Sequence, residues 1–195
     1  DIDAKLLLIS SISSGLAAWT KNEGLAISMT NVFILFLMII FSKKLNKKTF
    51  LLLLKYILII FLVAGPWIWV KNSLTLANRV VNTDTLTIAN FYHNLDRLPL
   101  ILKFMTNEFL LLTQWSLFWI FSLPFIALNI KKIIKNPQLL TLLLSVLFFL
   151  FFCILTYVVT PFGIRWHLET SLNRLLADVV PLILFIDALL IFSQD

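Results

Sequence analysis

The chain has 195 residues, 60% of them hydrophobic and only 13% charged, with a net charge of +6 and a mean hydropathy of +0.96. A soluble domain carries about 25% charged residues, so this composition excludes an ordinary globular protein. Its apolar runs approach or exceed the roughly 20 helical residues needed to cross a hydrocarbon core, and their continuity argues against the alternating strands of a membrane barrel. The expected class is an all-α polytopic membrane protein.

Six apolar segments follow one another, at about Ala4–Trp19, Gly24–Phe41, Phe50–Val70, Glu108–Ile130, Gln138–Thr160 and Leu175–Phe192. They predict about six transmembrane helices in a single transmembrane domain over residues 1–195, with one long outer loop carrying a short amphipathic helix. The first segment is short and has a small, polar centre, Ser10-Ser11-Ile12-Ser13-Ser14-Gly15, which suits close packing against other helices. In the third, Pro66 is expected to kink the helix, and Trp67 and Trp69 fit an aromatic belt.

Two short loops are cationic, Lys43-Lys44-Leu45-Asn46-Lys47-Lys48 and Lys131-Lys132-Ile133-Ile134-Lys135. Placing their seven lysines in the cytoplasm sets Thr20–Gly24, Lys71–Asn107 and Pro161–Arg174 on the outer side of a plasma membrane, with both chain ends inside. The surplus of basic residues therefore reads as orientation, and no basic-aromatic pattern points to nucleic acid. Within the long outer loop, Arg97 to Phe104 alternates charge with apolar residues, as an amphipathic helix at the lipid surface would. Cys153 is the single cysteine and lies in an apolar run, where it reads as a small buried or lipid-facing residue. The chain opens on Asp1-Ile2-Asp3-Ala4-Lys5 without an initiator Met or a signal peptide, so a fragment of a longer protein is expected.

Polar residues concentrate in Trp166-His167-Leu168-Glu169-Thr170-Ser171-Leu172-Asn173-Arg174, just before the last apolar run. Asp178 lies one helical turn beyond Arg174, so an ion pair between them would orient the guanidinium towards a phosphate. His167 and Glu169 alternate in the same stretch and read as hydrogen-bonding groups of a polar pocket. Together with His93 and Asp96 they could instead ligate a divalent cation, although no spacing is diagnostic of a metal. Lys21, in the tight turn Thr20-Lys21-Asn22-Glu23-Gly24, would present an ammonium at the outer boundary, either to a phosphate or simply to solvent. Asp187, deep in the last run, reads as a polar contact between helices. There is no Walker A loop, HExxH or CxxC.

Three motifs carry a resemblance. Gly15-Leu16-Ala17-Ala18-Trp19-Thr20-Lys21-Asn22-Glu23-Gly24 resembles the G-L-A-x-x-T-K-x-E-G turn of the GT-C superfamily of membrane glycosyltransferases. That superfamily includes dolichyl-phosphate-mannose protein mannosyltransferases and lipid A aminoarabinose transferases. Gly65-Pro66-Trp67 is similar to the P-W that ends a later helix in those enzymes. Thr170-Ser171-Leu172-Asn173-Arg174-Leu175-Leu176, running to Pro181, resembles their final motif.

The resemblance implies transfer of a sugar from a polyprenyl phosphate to a separate glycan, lipid or protein acceptor on the outer face. It implies that Lys21 and Arg174 neutralise the lipid phosphate, with His167, Glu169 and Asp178 in the same polar site, and it calls for no cofactor. The acidic catalytic residue of such enzymes would lie upstream of Asp1. Glu23 is not at the matching place, so this piece alone is expected to be inactive. Leu175 stands where relatives often carry Tyr. The competing readings are a flippase or transporter for a lipid-linked substrate, and a non-catalytic structural membrane subunit.

Overall fold

Helices make up all the regular structure of a computed structural model that describes residues 3–20, 22–41, 46–74 and 87–192. Two compact units divide the chain, Asp1–Asn78 and Arg79–Asp195.

The first unit contains α1 (Ala4–Thr20), α2 (Asn22–Phe41) and α3 (Lys47–Ser73), with α1 packed against both others. Small side chains make this close: Ser11, Ser14, Gly15 and Ala18 are the buried residues of α1. A Cβ on Gly15 would stand 2.7 Å from the Cβ of Val63, and one on Gly24 would run into the carbonyl of Ala17. Helices in lipid gain little from apolar burial against one another, so close packing and hydrogen bonds must hold them. Both are present. The Tyr56 hydroxyl lies 3.2 Å from Ser10 Oγ and 3.1 Å from Ser14 Oγ, and Asn31 Nδ2 donates to Ser14 Oγ at 2.9 Å. The Ser28 hydroxyl reaches the carbonyls of Ser14 and Gly24 at 2.5 and 2.8 Å.

Helix α3 starts on a reciprocal cap: Asn46 Oδ1 accepts from the Thr49 N–H, and Thr49 Oγ1 accepts from the Asn46 N–H. It continues through Pro66 as far as Ser73. Pro66 has no N–H for the carbonyl of Leu62, and its ring crowds that turn. There, the Trp19 indole donates to the Val63 carbonyl at 2.6 Å and its ring stacks on Trp67 at 6.1 Å. A neighbouring helix thus supplies polar contact where the proline weakens the backbone ladder.

The second unit contains α4 (Ile88–His93), a single 3-10 turn (Leu95–Arg97), α5 (Leu98–Leu110), α6 (Leu112–Trp115), α7 (Phe118–Leu128), α8 (Ile130–Lys135), α9 (Pro137–Val159), α10 (Ile164–Ala177) and α11 (Val180–Phe192). The amphipathic helix expected near Arg97–Phe104 is α5, which buries Ile101 and Met105, one turn apart. The apolar run Glu108–Ile130 is not one helix. It breaks at Leu111 and again at Ser116–Leu117, where Ser116 has φ 50. Phe109, Trp115 and Phe118 surround the buried Trp119 at that corner, with ring centroids 4.9, 5.7 and 4.9 Å away.

Helix α9 opens on Asn136, whose Oδ1 accepts from the N–H groups of Gln138 and Leu139, with Pro137 in the first turn. Its 23 residues reach about 34 Å. At the opposite end of the unit from the start of α10, Lys132 Nζ lies 3.5 Å from the carbonyl of Leu190, near the end of α11. A cation is favourable there because a helix C-terminus carries partial negative charge.

Four helices are long and apolar enough to cross a membrane: Glu23–Phe41, Lys47–Ser73, Pro137–Val159 and the segment Ile164–Phe192. The other two expected crossings correspond to shorter apolar helices, Ala4–Thr20 and Phe118–Leu128. The protein is an all-helical membrane protein with at least these four spanning candidates among the described residues.

Candidate functional site

The polar stretch before the last apolar run is itself helical. Residues Trp166–Arg174, expected in an outer loop ahead of the last helix, belong to α10. The helical period is visible in its buried residues: His167 and Leu168, Ser171 and Leu172, then Leu175 and Leu176. Trp166, Glu169, Thr170 and Arg174 are exposed.

His167 and Glu169 therefore diverge. Two residues apart on a helix they point about 200° from one another, and only His167 is buried. They do not line one pocket. His167 and Arg174, seven residues apart, return to nearly the same side, and Arg174 acts electrostatically on the imidazole. Arg174 stands in the last turn of α10 rather than at the start of a helix, and Asp178 follows as its C-cap. The chain turns at 178–179 before α11 begins. Pro181 accounts for the break, since it lacks the N–H that would bond the carbonyl of Ala177.

Around His167 the hydrogen bonds have a fixed direction. Ser171 Oγ donates to the main-chain carbonyl of His167 at 2.7 Å, which spends its only proton. The Tyr157 hydroxyl, 2.8 Å from Ser171 Oγ, must then donate to it. The chain runs Tyr157 to Ser171 to the His167 carbonyl and leaves the imidazole out. That ring lies edge-on between Tyr157 at 5.0 Å and Phe162 at 5.8 Å. It is 8% exposed, and its Nδ1 is buried without a hydrogen-bond partner among the described residues. A buried polar atom left unpaired costs free energy comparable to a lost hydrogen bond, so this nitrogen is the group of α10 best placed to gain from a bound ligand.

The elements ahead of α5 bond the end of α9. Arg97 Nη1 donates to the carbonyls of Val158 and Thr160 at 3.2 and 2.8 Å, and Asn90 Nδ2 to that of Val159 at 3.3 Å. Asn94, itself buried, bonds the Oδ1 and the carbonyl of Asn90. Three consecutive carbonyls at the end of α9, which a helix leaves without intrahelical donors, are satisfied this way. Sequence reading missed Arg97, Asn90 and Tyr157 as parts of this region. The available signal was the spacing of Asn90, Asn94 and Arg97, which puts three polar side chains on one face of a short helical stretch.

Lys21 lies outside the described residues, and its neighbours Thr20 and Gly24 belong to the first unit. His93 and Asp96 are exposed, and among the described residues no three His, Cys, Asp or Glu side chains converge as a metal site would require. Asp187, expected to make a polar contact between helices, has Ser122 of α7 as a polar neighbour, while its Oδ1 is buried without a hydrogen-bond partner among the described residues.

Comparison with models of protein families, with curated proteins and with solved structures finds no match to this chain.

Proposed function

We propose that the chain is the membrane portion of a glycosyltransferase that takes a sugar from a polyprenyl phosphate and passes it to an acceptor on the outer face of the plasma membrane. The observation that carries this reading is the face of α10. It sets an unpaired buried imidazole nitrogen and a guanidinium on one side of a polar helix, immediately before an apolar one. Of the two, Arg174 belongs to the Thr170–Pro181 run that resembles the last motif of the GT-C enzymes, and His167 stands three residues before that run.

In the proposed reaction an acceptor oxygen bonds to the anomeric carbon as the bond from that carbon to the phosphate oxygen breaks. The electron pair stays with the phosphate. Arg174 offsets the charge that develops there, and donors aimed at developing charge are among the strongest catalytic contributions. His167 Nδ1 gives or takes one hydrogen bond at the same headgroup. The acceptor's proton passes to a carboxylate acting as general base, a role given to none of the residues described here. For the second unit, the proposed orientation, with its C-terminal end cytoplasmic, draws support from the separation of charge. Lys131, Lys132 and Lys135 stand at one end of α9, and the α10 face begins at the other.

A photoreactive polyprenyl phosphate, crosslinked in membranes containing the full-length protein and mapped by mass spectrometry, tests the proposal. Labelling is expected in residues 162–174. Labelling confined to other helices would overturn the assignment of the α10 face, and labelling of that face without sugar transfer by the full-length enzyme would favour a carrier of lipid-linked substrate.

A further inference from the structure

Between α9 and α10 the chain turns through Thr160, Pro161, Phe162 and Gly163, none of which is helical. Within the turn, Thr160 Oγ1 accepts from the Phe162 N–H at 3.3 Å, and nothing would lie within 4 Å of a Cβ on Gly163. The turn is therefore held mainly at its ends. At the α10 end Phe162 sits against Trp166 and His167, 5.7 and 5.8 Å between centroids. At the α9 end, the two hydrogens on Arg97 Nη1 reach the carbonyls of Val158 and Thr160, on either side of the one bonded by Asn90.

We infer that Arg97 is a positioning residue: by bridging the last turn of α9 to the first residue of the hinge, it sets the angle at which α10 presents His167 and Arg174. This rests on the reading of that face as the lipid-phosphate site. Three features support it. Arg97 bonds one carbonyl inside α9 and one beyond it, so it spans the point where the chain changes direction. Thr160 is 2% exposed, so its carbonyl has no water to substitute for the guanidinium. The positive charge stands at a helix C-terminus, where it is favourable whether or not a ligand is bound. Arg97 touches no reacting atom; its effect passes through the backbone of Thr160 to Gly163.

The experiment compares Arg97→Met, Arg97→Lys and the unaltered full-length protein in lipid nanodiscs by hydrogen–deuterium exchange. Binding of a short-chain polyprenyl phosphate is measured in parallel. Arg97→Met is expected to speed exchange in residues 163–171 by roughly tenfold, the size of losing one hydrogen bond to a charged group, with α1 to α3 unchanged. Arg97→Lys, which keeps the charge and can reach one carbonyl, should recover part of the protection. Unchanged exchange in 163–171, or faster exchange confined to residues 87–97, would overturn the inference, because Arg97 would then anchor only its own segment. Should Arg97→Met fail to fold, Asn90→Leu serves instead. It removes the bond to Val159 and the one that Asn90 Oδ1 accepts from Asn94, which keeps its bond to the Asn90 carbonyl, and it leaves both Arg97 bonds in place, so protection of 163–171 should persist in it; loss of that protection would overturn the role given to Arg97. The binding arm reads the phosphate site separately: weaker binding of Arg174→Ala supports the site, and unchanged binding would overturn that reading while the exchange result still decides on Arg97.

Discussion

The two units spend their polar side chains differently. In the first, Ser10, Ser14, Ser28, Asn31 and Tyr56 bond one another or a neighbouring backbone in the middle of their helices. In the second, Asn90, Arg97 and Lys132 bond the carbonyls at helix ends; buried polar atoms without a partner among the described residues occur in both, at Thr30 in the first and at Trp119, His167 and Asp187 in the second. Polar groups that satisfy one another inside a bundle make it specific and rigid. Those at helix ends fix where the chain turns. The contrast teaches where to look: the serine-rich centre of α1 is the most conspicuous polar feature of the first unit, yet Ser10 and Ser14 bond side chains of α2 and α3 and Ser11 bonds the Leu8 carbonyl of α1 itself.

The largest effect expected from breaking this contrast is in the α1–α2 hairpin. Gly24→Val would drive a branched side chain into the Ala17 carbonyl, and overpacking of this kind costs about 1–3 kcal/mol and sometimes more. Denaturant titration in mixed micelles should show a clear loss of stability, and wild-type behaviour would mean the helices can separate without cost. Next comes Tyr56→Phe, which removes the hydroxyl shared by Ser10 and Ser14. Hydrogen bonds between membrane helices average about 0.6 kcal/mol and reach about 1.7, so a drop in that range is expected in the same titration. The smallest effect is predicted for Tyr157→Phe. Ser171 keeps its bond to the His167 carbonyl, so lipid-phosphate affinity should be unaltered; a marked loss would mean that the hydroxyl of Tyr157 reaches the ligand.

Much of the architecture was legible. The long apolar runs at Gly24–Phe41, Phe50–Val70 and Gln138–Thr160 correspond to α2, α3 and α9, because a helix of that length and apolarity has few alternatives in lipid. The amphipathic segment at Arg97 became α5 with a longer C-terminal end. Hydropathy could not reveal the corner at Leu111 and Ser116, where the backbone changes direction inside an apolar run around Trp119. The last segment departs from its expectation for the opposite reason. Its polarity suggested a loop, while the pairs 167/168, 171/172 and 175/176 already carried a helical period. Grouping His167 with Glu169 followed from that error, since alternation brings side chains together in an extended strand and separates them on a helix. In the sequence Arg97 marks only the start of an amphipathic stretch; that its guanidinium meets carbonyls about sixty residues away is a tertiary fact.

Arg165 and Arg174 offer the most direct test of the account. They lie nine residues apart on the same helix, hence about 180° around it, and both are exposed. Equilibrium binding of a short-chain polyprenyl phosphate to the full-length protein would be measured for Arg174→Ala and Arg165→Ala. The α10 face described here predicts a loss of roughly tenfold or more for Arg174→Ala, as for a lost charge-assisted hydrogen bond, and little change for Arg165→Ala. Equal effects of the two substitutions would contradict it, since affinity would then follow the net charge of α10 rather than the side that carries His167.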